Sequence, residues 1–243
     1  MAFAILRMEK HKGGTTGALE KHHEREKEAY QSNPDIDLTR SVDNFHIKLP
    51  EGKYYYEVQR RIEAANCRVR KDSVRMIDTF IGATPEFIRA LPAEKQREFF
   101  QCAYDFMSEK VGEENIFAAV VHMDEATLHM HLCFVPLTRD KRLSAKEILG
   151  NQTQLVRWQN DFYAHMSARF PRLERGLSAM ETGRKHLPVG LFKAEEKTID
   201  QAIEIRRLQE KLRRQKRLLD KIPPALMQEL ASQTNKNNFR RTK

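Results

Sequence analysis

Apolar and polar positions follow two rhythms along the chain. Residues 2–8 (AFAILRM) form a short apolar run that predicts a first strand, and HKGGTT after it reads as a loop. Residues 17–30 carry helix formers and dense alternating charge, which predicts a polar helix. Residues 31–43 are loop chemistry. Residues 44–49 alternate as a second strand, 54–65 read as a helix, and 74–81 (VRMIDTFI) predict a third strand. A long helix follows over 92–111, where Phe99, Phe100, Ala103, Phe106 and Met107 recur at the spacing of a core-facing stripe and Gly112 supplies the stop. Residues 115–123 and 129–137 are apolar, β-rich runs joined by a short polar link, the pattern of an antiparallel hairpin. Residues 151–170 form another amphipathic helix, stopped by Pro171.

From residue 193 the style changes. Residues 193–222 are highly charged and free of Gly and Pro, with Ile205, Leu208, Leu212, Leu219 and Ile222 at heptad-like positions and Gln215 interrupting. Pro223-Pro224 ends the run, and the tail is polar and basic. The pattern predicts an α+β domain over 1–192 with about five antiparallel strands, covered by helices on one face. A basic amphipathic helix (193–222) and a basic flexible tail (223–243) follow.

Composition narrows the classes. A chain of 243 residues with 40% hydrophobic and 32% charged residues is long enough for one sizeable core. The apolar runs, such as 117–121 and 132–137, fall far short of the roughly 18 residues of a membrane span. No basic region precedes the short apolar stretch at the start, so no secretory signal is read there. Three well-separated cysteines, Cys67, Cys102 and Cys133, argue against a disulfide scaffold and point to a reducing cytoplasm. Net charge is +9, and residues 193–243 supply +7 of it with 14 basic against 7 acidic residues. An excess of that kind favours a polyanionic partner such as nucleic acid, with a solubilising tail as the plainer reading.

The informative segment is His122-Met-Asp124-Glu125-Ala-Thr-Leu-His129-Met-His131. On a strand, His129 and His131 point the same way while Met130 and Leu132 turn to the core. A hairpin link of about six residues sets His122 beside them. Three neutral imidazoles meeting at one point make a ligand set for a divalent ion with positions left open. Asp124 and Glu125 in the link can orient a ligand, complete the coordination or act as a base. Cys133 shares the His129 and His131 face, as a fourth ligand or as a small buried thiol. Lys21-His22-His23-Glu24-Arg25 is a second candidate: a solvated helix face taken alone, a source of a nucleophile or acid/base group beside a metal.

These residues resemble the motifs of the MobV (Mob/Pre) family of plasmid mobilisation relaxases, within the HUH endonucleases named for two histidines flanking a hydrophobe, here His129-Met130-His131. The opening MAFAILRMEK with KHHER resembles the family's first motif. Asn33-Pro-Asp-Ile-Asp with Arg40-Ser41 and Asn44 resembles its second. Leu173-Glu-Arg-Gly176, Lys185-His186 and Phe192-Lys193 resemble the end of its relaxase domain, so the likeness covers about 1–195. The resemblance implies a relaxase-like sheet and a metal-dependent nickase of a plasmid transfer origin. His122, His129 and His131 would hold Mn²⁺ or Mg²⁺. His22 would attack the scissile phosphate to give a covalent 5′-phosphoryl-histidine, with His23 beside it able to exchange roles. Glu125, with Asp124, would activate or orient that nucleophile. Arg25, i+3 from His22 on one helical face, would neutralise phosphate charge. Lys21, Arg7, Lys12, Arg40 and Asn44 are expected to contact DNA, both single strand and hairpin. Leu128 stands where the family motif usually has proline, which would loosen the link without removing a ligand. The C-terminal helix could add phosphate contacts or pair two copies into a homodimer.

Two other readings compete. A basic DNA-binding protein with a structural zinc site would close a fourth ligand, such as Cys133, and cut nothing. A tyrosine-using HUH replication initiator or transposase would use Tyr54–Tyr56 in place of His22.

Overall fold

In the computed structural model the described residues are 2–30, 33, 36–176, 201, 205, 208, 209 and 211–215. The chain divides into two compact units, Met1–Arg184 and Lys185–Lys243. In the second unit the described residues are helical, and Ile205, Leu208 and Leu212 are exposed. The expected boundary at 192/193, the rest of the 193–222 helix and the tail lie outside the described residues.

Five strands form one antiparallel sheet in the first unit: β1 (Ala4–His11), β2 (Phe45–Lys48), β3 (Met76–Ala83), β4 (Ile116–His122) and β5 (His129–Phe134), in the order β1-β3-β5-β4-β2. Alternation gives each strand two faces, interrupted by register shifts at Ile116/Ala118 in β4 and His46/Lys48 in β2. On one face Leu6, Ile77, Ile81, Ala119, Val121, Met130, Leu132 and Phe134 build the main core. Helix α4 (Ala93–Val111) contributes its aromatic stripe to that core, and α6 (Gln152–Arg169) adds Phe162 and Met166. Two short helices absent from the sequence pattern, α3 (Pro85–Arg89) and α5 (Ala145–Leu149), add Phe87, Ile88, Ala145 and Leu149.

The opposite face is not bare, contrary to the one-sided cover expected from the pattern. Helix α2 (Tyr54–Ala64) packs Tyr54, Val58 and Ile62 against Met76, Phe117 and Cys133, and helix α1 (Thr16–His23) packs beside α2. The buried stripe of α1 is polar: Thr16, Glu20 and His23. Glu20 accepts from the Tyr54 backbone N–H at 3.3 Å, placing a carboxylate at the exposed donors of the α2 N-terminus. The helix expected to run to residue 30 stops at His23. Arg25 takes a left-handed φ of 54°, and its guanidinium is held by bonds described below.

Candidate metal centre and nucleophile

The hairpin β4–β5 pairs Val120 with His131 and His122 with His129, and β3 pairs Phe80 with His131 and Gly82 with His129. His122, His129 and His131 therefore share the sheet face that α1 covers. Their ring centroids lie 4.9–5.2 Å apart.

The outer nitrogen of each ring is committed. His122 Nε2–H donates to the His23 carbonyl at 2.9 Å, His129 Nδ1–H to the Thr127 carbonyl at 2.7 Å, and His131 Nδ1–H to the Asp78 carboxylate at 3.2 Å. Carbonyls and carboxylates only accept, so these partners fix the tautomers. Three lone pairs are left: His122 Nδ1, His129 Nε2 and His131 Nε2. The two Nε2 atoms are 3.2 Å apart. Two nitrogens each bound about 2.0–2.1 Å from one ion at right to tetrahedral angles lie about 3.0–3.4 Å apart. His122 Nδ1 is buried without a hydrogen-bond partner, 3.7 Å from Glu125 Oε1, which also lies 4.0 Å from His129 Nε2. The ligand atoms that gather within 4.8 Å of one another are those of His122, Glu125 and His129, and those of His22, His122 and His131, and such donor sets suit a divalent transition ion. Burial first, and then the neighbouring rings, push the His122 and His129 pKa values well down, so both rings are neutral at pH 7.

His22, half-buried at the end of α1, faces this set, its centroid 5.6 Å from that of His122 and 5.5 Å from that of His131. Burial, then His131, His23 and Arg25, push its pKa down to about 3, which leaves a neutral imidazole. His23 is fully enclosed and lies closer still to His131. Its ring stacks on His131 at 4.2 Å, and its Nε2 lies 3.5 Å from Asp78 Oδ2. Burial pushes the Asp78 carboxyl up, but His131 and His23 more than offset this and hold it well below the usual carboxylate range.

Several expected roles change. Asp124 is buried and hydrogen-bonded: Arg25 Nε and Nη2 donate to it at 2.8 and 2.7 Å, Ser41 Oγ at 2.6 Å and Asn44 Nδ2 at 2.9 Å. Three of these bonds fall on Oδ2 and one on Oδ1, and among the described residues Asp124 belongs to none of the groups whose ligand atoms gather. Arg25 lies beyond the end of α1, not on one helical face with His22. Its guanidinium is held by Asp124, by Glu125 at 2.8 Å and by the His22 carbonyl at 2.7 Å, so it ties the end of α1 to the link between β4 and β5. Asn44 is also structural, because its Oδ1 accepts from the Met123 N–H at 2.7 Å. Arg40 donates to the Met123 carbonyl at 2.7 Å and is otherwise exposed. Arg7, Lys12 and Lys21 are exposed, and Arg7 sits 6.0 Å over Phe80, whose ring stacks on His129 at 4.4 Å. Leu128 does not loosen the link. It is buried in the main core, while Arg89 donates to the Ala126 carbonyl at 2.6 Å.

Cys133 lies beneath the three histidines and not among them, 3.6 Å from Asp78 and 3.8 Å from His23, and burial pushes its thiol pKa well up. Tyr54 is fully buried, its hydroxyl donates to Glu24 at 2.9 Å, and burial raises its pKa far above the ordinary phenol value. Tyr55 and Tyr56 are exposed. Sequence reasoning missed Asp78 and Phe80. The available signal was a lone acid in the alternation Met76, Asp78, Phe80.

The family profile for plasmid recombination enzymes, Mob_Pre, matches residues 1–194. A plasmid recombination enzyme type 3 of Staphylococcus aureus is 35% identical over 198 residues, covering 79% of this chain and 48% of the relative. A plasmid recombination enzyme of Bacillus thuringiensis is 32% identical over 209 residues, covering 85% and 45%. The chain thus spans about half the length of the curated relatives it matches. Among solved structures, the Mn-bound MobM relaxase domain in complex with plasmid pMV158 oriT DNA is 33% identical. Its TM-score is 0.73, over 79% of this chain and 98% of that one. A second Mn-bound complex of that domain gives a TM-score of 0.71 at 33% identity. With the sheet, the histidine hairpin and the profile in agreement over the same residues, this chain belongs to the Mob_Pre family of plasmid recombination enzymes.

Proposed function

We propose that this chain is a metal-dependent, site- and strand-specific DNA nicking enzyme. It cuts one strand at a plasmid transfer origin and holds the 5′ end as a phosphoryl-histidine on His22. The observation that carries the reading is the half-buried, neutral His22 ring, which brings a ring nitrogen within 4.8 Å of those of His122 and His131. The oriT DNA and manganese bound by the MobM relaxase domain support it.

His122, His129 and His131 would hold the divalent ion, Mn²⁺ or Mg²⁺, with Glu125 at its edge. When bound, that ion supplies charge neutralisation at the scissile phosphate. The neutral His22 nitrogen attacks phosphorus, a P–N bond forms, and the P–O3′ bond breaks. The departing 3′ oxygen ends as a hydroxyl after protonation, and the proton on the other His22 nitrogen is released to solvent. Attack by a 3′ hydroxyl reverses the step and rejoins the strand without an external energy source. Arg25 positions the nucleophile through the His22 carbonyl, and Glu125 reaches His22 through that guanidinium, so its role is to orient. Arg7, Lys12, Lys21 and the outer edge of Arg40 are the candidate DNA contacts, and binding through them falls with salt. Ile205, Leu208 and Leu212, exposed on the helix of the second unit, are where two copies would pair. The reaction belongs to the cytoplasm, where plasmid DNA resides.

Supercoiled plasmid carrying the DNA upstream of the gene, incubated with Mn²⁺ or EDTA and then denatured, tests the reading. The expected outcome is Mn²⁺-dependent nicking with protein bound to the 5′ end, lost in His22→Ala. An adduct that survives in His22→Ala moves the nucleophile elsewhere. Tight zinc and intact DNA binding without scission would favour a structural-zinc binder.

A further inference from the structure

Sequence placed His23 beside His22 as its rival, yet the two rings do different things. The backbone carbonyl of His23, at the end of α1, accepts the Nε2–H of His122 at 2.9 Å. A helix-terminal carbonyl that would otherwise lack a partner thus fixes the tautomer of one ligand. The His23 ring lies against the other side of the set. It stacks on His131 with an interplanar angle of 28°, its Nε2 lies 3.5 Å from Asp78 Oδ2, and Cys133 Sγ is 3.8 Å from its Nδ1. Asp78 also accepts from His131 Nδ1–H at 3.2 Å. One buried carboxylate therefore stands between two imidazoles: it accepts from His131 and from the Cys133 thiol at 3.6 Å, and His23 Nε2, which has no hydrogen bond of its own, lies at ion-pairing distance on the remaining side.

We propose that His23 is a positioning residue that couples the helix bearing His22 to the metal ligands, orienting His122 through its carbonyl and His131 through its ring and Asp78. The proposal rests on the nicking reading only in giving those ligands their purpose. Ion binding and the placement of α1 are then linked reciprocally: what orders one orders the other. His23, Asp78 and His131 could also be taken for an inner cation site, since their ligand atoms lie within 4.8 Å of one another. Against that, His131 Nδ1 already gives its proton to Asp78, and the three groups meet at hydrogen-bonding and ion-pairing distances of 3.2–3.5 Å in an enclosed place.

The test compares the parent chain with His23→Phe, Asp78→Asn and the double variant. The readouts are Mn²⁺ titration calorimetry and ¹⁵N spectra of the imidazole nitrogens in metal-free protein, with circular dichroism to check folding. His23→Phe keeps a stacked ring and the carbonyl but offers Asp78 no nitrogen. The expected result is a loss of Mn²⁺ affinity of about tenfold, the low end for an outer-sphere partner. His131 should lose its single Nδ1–H tautomer while His122 keeps its own. The double variant should be little worse than either single one. His23→Gln, whose amide can donate to Asp78, should recover most of the affinity and replaces His23→Phe if that variant does not fold. Affinity within twofold of the parent with unchanged ring spectra would overturn the proposal. So would two Mn²⁺ per parent chain with one lost in His23→Phe. A parent that binds no Mn²⁺ but whose His131 tautomer depends on His23 would sink the metal-dependent nicking reading and leave the positioning role standing.

Discussion

Asp124 shows how one side chain can look catalytic in sequence and be architectural in space. It lies in the link between two ligand-bearing strands, next to Glu125, where an acid/base role is natural. In the fold it is the buried point at which Arg25, Ser41 and Asn44 converge. Asp124→Asn keeps the shape but removes the charge that Arg25 needs, and breaking a buried pair costs about 3 kcal/mol. Burial raises the Asp124 pKa, but the Arg25, Ser41 and Asn44 bonds more than offset this and bring it down to about 2, below the ordinary 3.8. A depressed carboxyl stabilises the fold fully above about pH 4, and that contribution is lost as pH falls through about 2. Urea unfolding should therefore show the Asp124→Asn deficit in full at pH 7 and much reduced at pH 2. An equal deficit at both values would mean that shape, and not charge, is what Asp124 supplies. The three histidines were legible because alternation and a short link are local facts. Asp78 was not, because its contact with His131 depends on β3 lying beside β5, a pairing that spans 53 residues. The placement of Arg25 was not legible because it was read on a helix that ends at His23.

At the scale of elements, the strongest periodicities were read almost to the residue. The hairpin expected over 115–123 and 129–137 is Ile116–His122 and His129–Phe134, and the long helix expected over 92–111 is Ala93–Val111. The overreach on α1 has a physical cause. Its buried positions are polar, so no apolar stripe marked where packing ends, and the left-handed Arg25 has no glycine to announce it. Strand order was invisible for the same reason as Asp78. That order also explains a requirement in β3 that sequence does not declare. Gly82 pairs with His129, and a Cβ there would lie 3.2 Å from the Leu128 carbonyl and 3.6 Å from His129 Cβ. Backbone on the ligand strand would have to yield by a few tenths of an ångström. Gly82→Ala should leave the sheet intact, with unchanged far-ultraviolet circular dichroism, but displace His129 and weaken Mn²⁺ binding several-fold. Unaltered affinity would show that the link absorbs the shift without moving its ligand.

For the whole molecule the histidine cluster is a stability term as well as a site. Burial is the first cause that lowers the pKa of His22, to about 3, and of His23, His122 and His129. Unfolding returns each ring to water and to its ordinary value of 6.5. The unfolded chain then binds more protons than the folded one at any pH below 6.5, so stability is greatest above that value and falls as the solution is acidified toward 3. A divalent ion held at the hairpin histidines would act through the same linkage. It binds the folded state alone and adds about 2.7 kcal/mol at 100 times its Kd, and protons competing for the lone pairs erode that gain. Thermal unfolding with Mn²⁺ or EDTA at pH 7.5 and 5.0 should show a Mn²⁺-dependent rise in Tm at the higher pH that shrinks at the lower. His129→Ala should abolish the rise at both. The folded state also stacks His129 on Phe80 and donates its Nδ1–H to the Thr127 carbonyl, so the substitution lowers the metal-free Tm too. The decisive quantity is therefore the difference between Mn²⁺ and EDTA within each variant. A difference that persists in His129→Ala would place the ion away from the hairpin.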